Sequence, residues 1–285
     1  MYKIESFEKQ MFQLYQLKNE EGTSWITVCP ERGGIIIGYG TNGEEKLYLN
    51  DESFYDRKQD VRGGIPILFP ISGKLPDDQY KWNNQEYQMP EHGLARIHPW
   101  EVIETYADED KAFISILFES SIGTKEVYPF DFEVIFTYTL KDDQLMIYQT
   151  YRNTGRHPMP IYPGLHPYFK TNSKFVSIDT GAQVYYDGKD GETKAFTGKI
   201  DLEKLSEIVV LENKRTDIDA QLEDVDVHID LAKDFRYTVL WSEEGRDFVC
   251  IEPWTAKDGD LSSEEGIIVV EPGEAFETWI NFQVV

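Results

Sequence analysis

The segment Asp131-Phe132-Glu133-Val134-Ile135-Phe136-Thr137-Tyr138-Thr139-Leu140 alternates polar and apolar positions and is rich in β-branched and aromatic residues. A period of two sends successive side chains to opposite faces, so the segment reads as a strand with one face buried. The turn Lys141-Asp142-Asp143-Gln144 leads into a second such run, Leu145-Met146-Ile147-Tyr148-Gln149-Thr150-Tyr151, and the pair predicts a hairpin. Outward from this hairpin, strand-like runs recur at 11–17, 24–29, 112–118, 175–179, 237–242, 247–252, 266–270 and 276–284. Turn signals at Asn42-Gly43, Asp187-Gly188 and Glu271-Pro272-Gly273-Glu274 punctuate them. The one helix expected is Asp201 to Ile208, with Asp201 as its N-cap. No linker, low-complexity tract or solenoid-length repeat divides residues 1–285, which read as a single domain. So many strands must close or stack to protect their edges, and the expected fold is all-β, a large antiparallel β-sandwich.

Charge narrows the partners. With 28 Lys+Arg against 52 Asp+Glu the formal net charge is -24, which repels phosphate backbones and anionic lipid surfaces. Nucleic acid and membrane partners are therefore not expected, although a local anion site survives because distant surface charge is screened. The two cysteines, Cys29 and Cys250, sit inside apolar runs without metal or redox spacing and read as reduced packing residues. No stretch approaches the 18 or so apolar residues a membrane span needs, and the N-terminus lacks a signal-like apolar region, so a cytoplasmic protein is expected. Oligomeric state is not legible.

Three stretches carry proton-transferring residues in apolar or aromatic surroundings. The first pairs Arg62-Gly63-Gly64-Ile65-Pro66 with His92-Gly93-Leu94-Ala95-Arg96, which sets an imidazole and a guanidinium around a glycine in a chain holding only five histidines. Glycines there permit a tight turn or close approach to a ligand, and for the Gly-Gly pair alone an ordinary turn is the commoner outcome. The second is Leu165-His166-Pro167-Tyr168-Phe169. A lone histidine in apolar company is more often a core residue, but a rigid connection rich in proline and aromatics is also where sugar sites form. The third is Val249-Cys250-Ile251-Glu252-Pro253-Trp254. Pro253 is expected to end the strand and leave Glu252 at its tip, partly desolvated, and desolvation moves a carboxyl toward the range of a general base. His157 and His228 lie in polar segments, and His98-Pro99 reads as a surface loop. Zinc clusters, phosphate-cradling loops, dinucleotide fingerprints and nucleophile elbows are all missing from the sequence.

In this order and spacing the segments Arg62 to Pro66, His92 to Arg96, Leu165 to Phe169 and Val249 to Pro253 resemble the aldose 1-epimerase (galactose mutarotase-like) family, and most of all its hexose-6-phosphate mutarotase branch. The resemblance implies a large β-sandwich that interconverts the α and β anomers of a sugar without cofactor or metal. By position it implies Glu252 as the base, His166 as the acid at the ring oxygen, and His92 as a second donor there. Arg62 and Arg96 match positions that bind the sugar phosphate in that branch, a role suited to guanidinium forks. Leu94 departs from the branch's phenylalanine, and Ile71-Ser72-Gly73-Lys74 replaces its Phe-Gly, departures that bear on the phosphate preference. Two other classes stand beside this reading. One is a sugar-binding or regulatory sandwich without turnover. The other is a glycosidase pairing Glu252 with a second carboxylate such as Asp217, Asp219 or Asp258.

Overall fold

The computed structural model describes residues 1–205, 207–257, 261 and 266–285. The hairpin that opened the sequence reading is present: Phe132–Lys141 pairs antiparallel with Gln144–Asn153, with Lys141 opposite Gln144. Asp142 and Asp143 form the two-residue turn at φ of 48° and 61°, the doubly positive geometry whose twist matches that of the flanking strands. The strand's burial alternates residue by residue, as its sequence demands.

This hairpin lies within a nine-stranded antiparallel sheet that runs in space from Lys199–Asp201 at one edge to Glu101–Ala107 at the other. A second sheet of eight strands is built around Phe248–Trp254, flanked by Tyr237–Trp241 on one side and by Gly164–Leu165 and Tyr168–Lys170 on the other. Inward residues of both sheets, among them Phe136, Ile147 and Phe282 from the first and Leu240, Val249 and Ile251 from the second, join one apolar core. The protein is thus an all-β antiparallel sandwich. A five-stranded sheet formed by the first 45 residues adds to the same core through Leu17, Ile26 and Tyr39, and the Tyr39 hydroxyl donates to the carbonyls of Asp143 and Phe282 at 2.6 and 3.0 Å. Among the described residues no helix is long and apolar enough to cross a membrane.

Two expectations are corrected. The segment Asp201–Ile208 is not a helix: only Leu202–Lys204 makes a single 3-10 turn, and Leu205 is already extended. Asp201 does cap it, its carboxylate accepting from the Glu203 N–H at 3.2 Å, while Ser206 lies outside the described residues. The reason is competition for the backbone: the Ile208 carbonyl accepts from the Gly188 N–H at 2.9 Å and Val209–Glu212 enters the eight-stranded sheet. Likewise the strand does not stop at Pro253. It continues to Trp254, with Pro253 opposite Thr238 and Trp254 opposite both Tyr237 and Gly164.

Candidate active site

Along Phe248–Trp254 every residue is buried, but the two faces differ. Val249 and Ile251 belong to the sandwich core, whereas Phe248, Cys250 and Trp254 pack in separate clusters on the outer face of the sheet. Strand alternation places Glu252 on that outer face. Register then sets its neighbour. Gly164 pairs with Trp254 and Tyr168 with Cys250, so the residue midway, His166, falls opposite Glu252. The Glu252 Oε1 to His166 Nε2 separation is 3.5 Å, with both side chains almost wholly buried. Trp254 Nε1 donates to the other carboxylate oxygen at 3.2 Å.

His92 arrives from a different part of the chain. The backbone has φ of +63° at His92 and +74° at Gly93. A Cβ on Gly93 would sit 2.3 Å from the Phe69 carbonyl oxygen, so glycine alone fits this crossing. His92 N–H donates to the Gly73 carbonyl at 2.7 Å, and in return the Gly73 N–H donates to His92 Nδ1 at 3.0 Å. A backbone N–H cannot accept, so Nδ1 is the acceptor and neutral His92 carries its proton on Nε2. The His92 ring meets the His166 ring edge-on, 5.3 Å between centroids. His166 in turn stacks on Tyr168 at 4.6 Å and 9°.

Electrostatics keep both imidazoles neutral. Burial first, then the charges of Arg96 and Arg62, holds the His166 pKa down at about 3. Burial also dominates at His92, reinforced by His166, Arg96 and Arg62, and holds it well below the ordinary histidine range. The Glu252 carboxylate beside His166 acts in the opposite sense, favouring the imidazolium whenever the two are charged together.

Arg62 and Arg96 line the same cavity as His92, His166 and Glu252, a cleft of about 180 Å³. All five residues singled out in the sequence are therefore brought to one place. The Gly63-Gly64 pair that precedes them spatially serves packing: a Cβ on Gly64 would lie 2.3 Å from the Ile36 carbonyl oxygen, so the close approach is to the protein's own backbone. The sequence reading missed Trp241, Asp60, Glu91 and Glu207, which also line the cleft. Trp241 stands edge-on to His166 at 5.9 Å and beneath the Arg62 guanidinium at 5.4 Å. Its only signal was an aromatic at the end of an expected strand.

Other candidates fall elsewhere. His98 Nδ1 donates to the Leu94 carbonyl at 2.9 Å and its ring packs on Phe118. Lys74 lies 3.7 Å from Asp78. Asp217 is ion-paired with Arg215, and Asp219 with His228 at 2.7 Å, all on the nine-stranded sheet or its approach. Neither is a cleft carboxylate beside Glu252, and Asp258 lies outside the described residues. His166, Cys250 and Glu252 offer ligand atoms within 4.8 Å of one another, the spacing of a candidate metal group. Burial, followed by the Glu252 charge, raises the Cys250 thiol well above its ordinary range, so on its own the group is a neutral thiol.

The Glu252 carboxylate, the His166 and His92 imidazoles and the two arginines thus share one cleft on the second sheet of the β-sandwich. Comparison with known proteins shows the family. The chain belongs to the aldose 1-epimerase family, whose model matches residues 13–283. It is an isomerase acting on a sugar. Protein LacX (plasmid) of Lactococcus lactis subsp. lactis is 26% identical over 290 aligned positions that cover 89% of this chain and 91% of LacX. The crystal structure of Slr1438 from Synechocystis sp. PCC 6803 superimposes with a TM-score of 0.92 at 32% identity, covering 100% of this chain and 99% of that one. A galactose mutarotase-like protein from Clostridium acetobutylicum gives 0.81 at 19% identity, covering 100% and 98%, a likeness of fold alone.

Proposed function

We propose that the protein interconverts the α and β anomers of an aldohexose by acid/base ring opening, within one domain spanning the chain. The observation that carries this reading is the pairing of Glu252 Oε1 with His166 Nε2 at 3.5 Å under a His92 whose Nε2 is a fixed donor. Glu252 takes the proton of the anomeric hydroxyl. The C1 to ring-oxygen bond breaks, the C1 carbonyl forms, and the ring oxygen receives the Nε2 proton of His166 in its imidazolium form. His92 holds the same oxygen by hydrogen bonding and transfers nothing, because its tautomer is locked. After rotation about the C1–C2 bond the steps run backwards on the other face of the carbonyl: Glu252 gives its proton back to O1, the former ring oxygen gives its proton back to His166, and the protein is left unchanged. The low His166 pKa makes the imidazolium scarce, and the adjacent carboxylate is what supports it.

A second reading, in which the sugar carries a 6-phosphate, draws on Arg62 and Arg96 lining the same cleft. The catalytic reading is tested by saturation-exchange NMR or polarimetry on purified anomers. Accelerated exchange that Glu252→Gln abolishes supports it, while saturable sugar binding with exchange no faster than buffer points instead to a non-catalytic sugar-binding protein.

A further inference from the structure

Each cleft guanidinium has a carboxylate beside it, and Glu243 is shared with Arg246 at 3.7 Å. Arg96 Nη2 lies 3.1 Å from Asp60 Oδ2 and also donates to the Glu91 carbonyl at 2.9 Å. Arg62 Nε lies 3.8 Å from Glu243 Oε2, its guanidinium resting over Trp241. The Asp60 side chain is half exposed, but the backbone that carries it is held. The buried Arg32 guanidinium donates to the carbonyls of Ser53, Phe54, Asp56 and Gln59, at 3.3, 3.2, 3.0 and 2.6 Å, and so fixes the chain immediately before it. Around the cleft wall the cations among the described residues are Arg62 and Arg96, whereas Asp60, Glu91, Glu207 and Glu252 are carboxylates, a formal balance of two against four. The residues outside the described set contain no lysine or arginine.

From this arrangement we infer that Asp60 and Glu243 are specificity-determining residues that neutralise Arg96 and Arg62 and reserve the cleft for an uncharged pyranose, excluding sugar phosphates. The inference rests on the mutarotase reading and settles its substrate class. A phosphate dianion binds tightly where guanidinium forks are free to meet it. Here it must displace the paired carboxylates or lie beside them, and like charges brought together in a partly desolvated cleft repel strongly. A neutral sugar meets neither cost. Its hydroxyls accept from the remaining N–H groups of the two arginines and donate to the carboxylates, so the same pairs that repel a phosphate provide matched hydrogen-bonding partners for a neutral ring.

The test compares anomer exchange of D-glucose and D-galactose with exchange of their 6-phosphates, in wild type, Asp60→Asn and Glu243→Gln. Wild type is expected to favour a neutral sugar over its phosphate by at least about tenfold in kcat/KM. Each substitution is expected to shift that ratio toward the phosphate by about tenfold, and added salt to shrink the shift by screening. Both carboxylates are about half exposed, so both variants are expected to fold. A wild-type preference for a phosphate, or a ratio that neither substitution moves, overturns the inference. If no sugar is turned over, the mutarotase reading fails by itself, and calorimetric titration of the four sugars decides the charge claim: tighter neutral sugar supports it, tighter phosphate or binding of none overturns it.

Discussion

Glu252 and His166 face each other at 3.5 Å because their strands share a register in which Gly164 meets Trp254 and Tyr168 meets Cys250. The acid of the proposed mechanism thus sits in the two-residue break between Gly164–Leu165 and Tyr168–Lys170, both of which pair with the strand that carries the base.

Replacing Glu252 by Gln retains the shape and the Trp254 contact but removes the proton acceptor. The expected loss in kcat is about 10²- to 10⁴-fold, the usual worth of a positioned general base. NMR exchange rates measure it, with unfolding midpoints as the control. A variant within threefold of wild type would remove Glu252 from the base role.

The His92 tautomer is directly observable. With Gly73 N–H donating to Nδ1 at 3.0 Å, the imidazole is expected to remain neutral with its proton on Nε2 from pH 8 down through its ordinary pKa of 6.5. Nitrogen-15 shifts of labelled histidine report this. An Nδ1 proton, or titration near 6.5, would contradict the geometry.

Stability is expected to fall with acid in a way that depends on His166. Its folded pKa is depressed to about 3 from 6.5, so the unfolded chain binds the proton first as pH drops. The contribution is complete above 6.5 and is lost progressively as pH falls toward 3, amounting in the limit to a few kcal/mol. Urea titrations across that range should show a steeper decline for wild type than for His166→Asn. Parallel profiles would mean the imidazole is not held neutral.

Gly93→Ala tests the crossing that delivers His92. The new Cβ meets the Phe69 carbonyl oxygen at 2.3 Å and Pro70 Cδ at 2.8 Å, on a backbone at φ +74°. Left-handed geometry alone costs about 1–2 kcal/mol for an L-residue, and the clash adds to it. Denaturant unfolding is expected to show a loss above that figure, together with weakened sugar turnover. An unperturbed midpoint would show that the turn relaxes freely.

Strand content was legible because alternation is a local property, and the hairpin at Phe132–Asn153 follows from a pattern plus two turn residues. The short helix Ile122–Val127 escaped notice although Ser121 and Thr124 form a capping box, since six residues are too few for a visible period. The helix expected at Asp201–Ile208 failed for the opposite reason: a genuine local cap was outcompeted by sheet pairing at Ile208 and beyond. Of the site, the five residues carrying the motifs converge on one cleft, while Asp60 and Trp241 had no motif to mark them.

The sequence alone was enough to read an antiparallel β protein and to find proton-transferring residue types in apolar and aromatic stretches, because periodicity and residue chemistry need only near neighbours. Tertiary structure alone decided that Glu252 lies in mid-strand opposite His166, that His92 is locked as a donor by Gly73, and that each arginine already has a carboxylate. Those are relations between segments far apart in the chain, fixed by sheet register and burial, and no local pattern encodes them.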